Sequence, residues 1–202
     1  NKANVLRLQG NYERAIAVLD EALPLVEATA QPRLRYSHCF AKADALCHLE
    51  RPAEAEALLP ELRELTAEIG NDLDGWRLRW LEGRVAAGLG RRQKAIGVLA
   101  LVRREFARRE IPYDTALATL ELAVLHLEEG DTREVQILAG EMKPIFDAQG
   151  VPREALAALA LFTEAARKER LTAAWVRSLV RYLYRAQGDS ELRFEKGEAL
   201  EC

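Results

Sequence analysis

A period of forty residues runs through this chain and constrains its fold more than any other feature. Pro32, Pro112 and Pro152 stand in register, with Asp72 in the intervening slot. Gly10, Glu50, Gly90 and Gly130 form a second series. Ala15, Ala55, Ala95 and Val135 form a third, which Trp175 continues. Leu19, Leu59 and Leu99 lead to Ala139 and Leu179, and Ala43, Gly83 and Ala123 lead to Thr163. Self-similarity at this spacing marks a stack of supersecondary units, none of which can bury its apolar face alone.

The units read as helical hairpins. Proline suits the first turn of a helix, where its missing N–H costs nothing. The Gly10/Gly90/Gly130 slot lies seven residues after the small-residue slot and ends a helix, because glycine takes the left-handed conformation cheaply. At Glu50 the stop falls to Pro52. Apolar spacings are helical, as in Trp76, Trp80, Gly83 and Ala87, or Ile16, Leu19, Leu23 and Val26. The expected first helices span 33–49, 73–89, 113–129 and 153–169. The second helices span 12–28, 52–68, 92–108, 132–148 and 172–187. Short linkers make neighbours antiparallel. The predicted class is all-α, a right-handed α-solenoid over residues 1–187. Its hairpins lie near 1–30, 31–70, 71–110, 111–150 and 151–187, and a polar tail follows over 188–202, with Leu192 and Phe194 folded back onto the end.

Composition agrees. Of 202 residues 49% are hydrophobic and 30% charged, the net charge is −3, and Gly (12) and Pro (7) are few. That balance excludes a collagen, a disordered acidic tail and a uniformly basic nucleic-acid binder. No apolar run reaches the roughly 18–20 residues of a bilayer span, so no membrane is expected. Three cysteines (Cys39, Cys47 and Cys202) do not make a disulfide framework and read as thiols of a cytoplasmic protein. Asn1–Gln9 reads as the end of a further first helix, so the chain is expected to be a segment of something larger.

The stretch Gly10-Asn11-Tyr12-Glu13-Arg14-Ala15-Ile16, with Leu19, Ala22, Leu23 and Pro24, resembles the second half of a tetratricopeptide repeat. Gly83, Leu89, Gly90, Ala95, Ile96 and Leu99 match the same pattern, and Gly130, Asp131, Thr132 and Val135 match it loosely. The period departs from the usual 34 residues. Lys42 and Glu82 fill slots where the family prefers large apolar residues. Repeats of this length are similar to the tetratricopeptide-like arms of bacterial transcription activators of the MalT type. The resemblance implies a protein or peptide ligand in a concave groove lined by first helices, with no catalysis.

Chemistry-bearing constellations are sparse. Of Cys39, Cys47 and His48, the two cysteines lie eight residues and so about 12 Å apart along one helix, and the three cannot share a zinc ion. Gly83–Gly90 lacks the Lys-Ser/Thr and the preceding strand of a phosphate loop. His38, His48 and His126 have no nucleophile or acid that periodicity brings near. No enzyme, cofactor or metal is therefore expected.

Charge is distributed by repeat. Between Trp76 and Glu110 ten basic residues oppose three acids, including the patch Arg91, Arg92, Arg103, Arg104, Arg108 and Arg109. Residues 50–75 carry eight acids against two bases, and 121–147 seven against two. The expectation is that stacked neighbours neutralise one another across their seams. An acidic peptide on the patch is the functional alternative, and nucleic acid is disfavoured by the acidic flanks. The groove stripe on successive first helices comprises Ser37, Phe40, Asp44 and His48; Arg77, Trp80 and Arg84; and Leu117, Leu120 and Val124. Arg77 and Arg84 share a face with no evident core role, so both are expected to be reversible in charge without unfolding. Arg177, Arg181 and Arg185 on the last helix read as its solvated outer face. The expected function is a non-enzymatic protein- or peptide-binding scaffold in a larger bacterial regulator, with self-association left open. The alternatives are a ligand-sensing arm or nucleic-acid binding through the arginine-rich repeat.

Overall fold

A computed structural model describes residues 2–142, 145, 151–189 and 192–194. Among these residues there are ten helices and no strand. They are α1 (Lys2–Leu8), α2 (Tyr12–Ala28), α3 (Pro32–His48), α4 (Pro52–Ile69), α5 (Asp72–Gly88), α6 (Arg92–Arg108), α7 (Pro112–Glu129), α8 (Thr132–Gly140), α9 (Arg153–Arg167) and α10 (Ala173–Ala186). The helix expected over 132–148 ends its continuous run at Gly140, and most of 143–150 lies outside the described residues. So do Cys202 and most of the tail.

Local chemistry sets the boundaries. Pro32, Pro52 and Pro112 open α3, α4 and α7 in their first turn. Where proline is replaced, a side chain caps instead: Asn71 Oδ1 accepts from the Asp74 N–H at 3.0 Å, and Asp131 Oδ1 from Glu134 N–H at 3.2 Å. Gly10, Gly90 and Gly130 end their helices at φ of 76°, 72° and 76°. Glu50 does the same at φ 56°. The glutamate therefore adopts the left-handed conformation that the repeat demands, so Pro52 is not what stops the helix. Ala30 and Glu110 (φ 49° and 56°) do likewise at the opposite ends of their hairpins, where Gly70 stands in the intervening repeat. Each such non-glycine residue costs about 1–2 kcal/mol of backbone strain.

The chain divides into two compact units, residues 1–98 and 99–202. In unit 1 helices pack in chain order, α1 on α2, α2 on α3, α3 on α4 and α4 on α5, with α3 also touching α5. The core runs between them through Ile16, Tyr36, Cys39, Leu46, Leu59, Leu62, Leu65, Leu78 and Val85. The small-residue slots let the helices approach: Ala15, Ala43 and Ala55 are wholly buried. Gly88, at the end of α5, serves the same end. A β-carbon there would meet Pro52 Cβ at 2.8 Å. Gly88→Ala is predicted to lower stability by about 1–3 kcal/mol in urea unfolding, because backbone must move to accept it. An unchanged midpoint would mean that the α4–α5 contact yields freely.

Unit 2 is arranged differently. α7 packs on α8 and, more extensively, along α10, while α9 rests on α8 and α10. The α7–α10 contact is antiparallel. Tyr113 Oη at the start of α7 donates to the Leu183 carbonyl at 2.5 Å, and Arg177 at the start of α10 pairs with Glu128. Tyr184 Oη donates to Glu121 Oε1 at 2.9 Å. The four helices close on one another around Leu117, Leu120, Phe162, Trp175 and Leu179. Arg177 therefore faces α7 and is not part of a solvated cap. Phe194 lies against Trp175 and Tyr182, with ring centroids at 5.7 and 5.2 Å, and Tyr182 Oη donates to the Leu192 carbonyl at 2.9 Å.

Candidate functional site

The polar centre of unit 1 is built on Asp44. Forty residues of period place Asp44 of α3 beside Arg84 of α5, and Arg7 of α1 reaches it from the other side. The Asp44 side chain is only 6% exposed and that of Arg84 12%. Arg84 also donates from Nη2 to Nε2 of His48 at 3.2 Å, one turn further along α3. The His48 ring is stacked on Tyr12 of α2 at a centroid distance of 4.3 Å and an angle of 8°. A carboxylate this deep is desolvated, yet the cations of Arg84 and Arg7 outweigh that penalty and hold its pKa well below the usual carboxylate range. Asp44, His48 and Arg84 are therefore committed to one another inside the fold. They are not groove contacts, and reversing the charge of Arg84 would set two carboxylates together in the interior.

His48 is held neutral. Burial, then the Arg84 cation, push its pKa down to about 3, against the pull of Asp44. In the unfolded chain it would titrate near 6.5. Between about pH 6.5 and 3 the unfolded chain binds a proton that the folded one refuses. Its contribution to stability is thus complete above pH 6.5 and drains away as pH falls. Asp44 acts in the same direction only below about pH 4. His48→Gln, which keeps an acceptor for Arg84, is predicted to flatten the fall in urea midpoint between pH 6.5 and 4.5. An unaltered slope would assign that acid sensitivity to other groups.

Next to this cluster lies a cleft of about 600 Å³. Its walls come from α1 (Asn4, Arg7), α2 (Val18, Ala22, Val26), α3 (Arg33, Leu34, Ser37, Phe40) and the start of α5 (Asp74, Arg77). Ser37, Phe40 and Arg77 thus meet in one place, as their register predicts. Arg33 pairs with buried Asp74 while its own side chain remains 59% exposed, and its guanidinium carbon lies 5.7 Å from the Tyr36 ring centre. Tyr36 Oη donates to the Asp74 carbonyl at 3.3 Å. His38 Nε2 lies 2.8 Å from the Leu19 carbonyl, so that nitrogen carries the proton and donates. Of the three arginines on its walls, Arg7 pairs with Asp44 and Arg33 with Asp74. Arg7 and Arg33 were absent from the sequence-derived stripe. Arg33 sits beside the helix-opening Pro32, and Arg7 lies three residues off the Asp44/Arg84 register, so the stripe rule passes over both.

The remaining groove candidates are elsewhere. Trp80 is buried in unit 1. Leu117, Leu120 and Val124 are interior in unit 2, where α7 is enclosed by α8 and α10, so they offer no surface to a ligand. The arginines proposed as a basic patch are largely spoken for. Arg91 pairs with Glu56 across the α4 seam, Arg103 with Glu141 at 2.6 Å, and Arg108 and Arg109 both with Glu105 at 2.6 Å. Hydrogen bonds, first from Arg108, bring Glu105 down to about 2. Arg104 Nε donates to the Ala100 carbonyl of its own helix, and Arg92 is exposed at the start of α6. Arg63–Glu82 adds another cross-helix pair in unit 1. Cys39 donates to the Leu58 carbonyl, and burial pushes its thiol up to about 12, away from any reactive thiolate. Among the described residues no three His, Cys, Asp or Glu side chains are grouped to hold a metal, and no helix is long and apolar enough to cross a membrane.

No protein-family model and no curated protein matches this chain. Two solved structures do. Both are of Podosopora anserina nearly identical TPR-like repeats attributed to a kinesin light chain, one of them a single-substitution variant. The first superposes with a TM-score of 0.58 at 18% identity over 93% of each chain, the second with 0.59 at 18% over 92% of each. The chain is similar to these repeats in fold: it is all-α, an α-solenoid of antiparallel hairpins in the TPR-like manner.

Proposed function

We propose that this chain is a non-enzymatic scaffold that holds a protein or peptide partner, as one segment of a larger regulatory protein. The cleft of unit 1 carries this reading. It is preformed by rigid helices, and it combines apolar walls with a few charged groups. Preorganisation leaves the ordering cost to the ligand. The reduced, buried Cys39 fits a cytoplasmic setting, and the bias toward Ala, Leu and Arg fits a bacterial regulator of the MalT type.

The test is a peptide array probed with the protein and with Ser37→Glu, an exposed change in the cleft wall. Peptides retained by the first and lost by the second are expected. Peptides held equally by both, or by neither, would reject the cleft as the binding site. A second reading has one observation in its favour: about 600 Å³ lies within the roughly 300–1,000 Å³ of small-molecule sites. A ligand-sensing arm would show a rise in melting temperature with one metabolite of a screen, abolished by Ser37→Glu. Nucleic-acid binding has less support, because most of the patch arginines already face acids.

A further inference from the structure

The last hairpin is joined differently from the others. After each left-handed residue that ends a first helix, one residue precedes the second helix: Asn11 follows Gly10, Arg51 follows Glu50, Arg91 follows Gly90 and Asp131 follows Gly130. In the last hairpin the left-handed residue is Glu169, at φ 54°, one position before the slot at 170, and Arg170, Leu171 and Thr172 separate it from α10. Thr172 is extended, at φ −113° and ψ 151°, where Asn11, Arg51 and Asp131 turn at ψ of 65°, 57° and 72°. A longer connection and an extended cap carry α10 off its own first helix.

The packing shows where it goes. α2 lies on α1, α4 on α3 and α8 on α7, each second helix on the first helix before it. Among the described residues α10 meets α9 only lightly and is bound along α7. Its ties reach far across the sequence. Tyr113 donates to the Leu183 carbonyl 70 residues on, Tyr184 to Glu121 across 63 residues, and Arg177 to Glu128 across 49. Trp175, Val176, Leu179 and Leu183 of α10 are buried. Nothing in this contact requires α7 and α10 to belong to one chain. The hinge does bear the cost of keeping them so, because it holds Glu169 in a conformation that a residue with a β-carbon disfavours.

We infer that α10 is an exchangeable arm: in a dimer of this chain, α10 of each copy docks along α7 of the other through these same residues, while the hinge over residues 169–172 straightens. The partner is a second copy because its α7 offers Tyr113, Glu121 and Glu128 in the places that α10 already fits. A short, strained hinge beside a helix held mainly by a distant element is the arrangement that favours exchange. The inference is independent of what the cleft of unit 1 holds.

The test uses two variants of the 202-residue chain, Glu128→Arg and Arg177→Glu, both at partly exposed side chains. Each alone sets like charges together, in the closed monomer and in its own exchanged dimer alike. In an exchanged dimer with one copy of each, both α7–α10 pairs are again of opposite charge. The two are mixed, taken through urea so that α10 can undock, returned to buffer and concentrated, and mass is read by light scattering. Expected is a mixed dimer at least about tenfold more abundant than the dimer of either variant alone. The double variant, with the pair restored within one chain, is expected to match the parent. Glu169→Gly removes the cost of the closed hinge and is expected to lower the mixed dimer about tenfold. In the parent chain the same cycle is expected to yield a dimer that Glu169→Gly diminishes likewise, a reading that needs neither charge variant. A mixture that stays monomeric, or that dimerises no more than the single variants, would overturn the exchange. So would a dimer indifferent to Glu169→Gly, which would place association on another surface.

Discussion

Asp44→Ala is expected to cost about 3–5 kcal/mol of unfolding free energy, the largest loss of any single substitution in unit 1. The change removes the carboxylate with which both Arg7 and Arg84 pair, in a site where both arginines are largely out of water. What remains is two like charges beside a neutral imidazole. The loss is read from urea midpoints at pH 7. The triple change Asp44→Leu, Arg7→Met and Arg84→Met is expected to recover most of it, because an apolar set of similar volume avoids the desolvation that the ion pairs must overcome. A cost below about 1 kcal/mol for Asp44→Ala would place these pairs in the class of solvated surface contacts. Asp44→Asn separates charge from shape: it keeps the volume and one acceptor, and is expected to fall between the two.

Trp175→Ala is expected to cost a similar amount, about 3–5 kcal/mol, in unit 2. The indole is 1% exposed, at the centre of the four closed helices and beneath the Phe194 ring. Truncation would leave a cavity that α7, α9 and α10 cannot fill without repacking. Trp76 and Trp80 both belong to unit 1, so fluorescence in the variant follows unit 1 alone while circular dichroism follows both. A loss confined to the dichroism signal is the expected result. Trp175→Phe should be far milder, since the indole N–H has no hydrogen-bond partner to lose. If Trp175→Ala unfolds with the parent midpoint, the packing around α10 is loose and the ring is not central to it.

Helix positions were legible because the signals that set them are local. A proline at a first turn, a capping Asn or Asp and a left-handed slot every forty residues act within a few residues of themselves. The cleft was partly legible: Ser37, Phe40 and Arg77 follow from the stripe on first helices. The stripe failed at Asp44 and Arg84 because periodicity reports which face a residue occupies, and the groove face of unit 1 is deep enough to bury an ion pair. It failed again at Leu117 and Val124, for a different reason. In the second-helix series Ala15, Ala55 and Ala95 are followed by Val135 and then by Trp175, and a tryptophan cannot occupy the space that an alanine leaves. That substitution was the one visible sign that α10 takes a different place. Reading it needed the tertiary contact with α7, which no local rule supplies. The charge alternation between repeats was read correctly as neutralisation across seams at Arg91–Glu56 and Arg103–Glu141.

The lodging of α10 against α7 also bears on how such a chain can lengthen. A hairpin array grows when each new first helix lies down beside the previous one. In unit 2 that berth is taken, with Tyr113, Tyr184 and Arg177 tying the occupant in place. A duplicated forty-residue segment spliced in after α9 would have to evict α10 before it could dock. In unit 1, where helices pack in chain order, no helix is lodged out of turn to be evicted. Gene-level expansion of this architecture is therefore easier through its early hairpins than through its last.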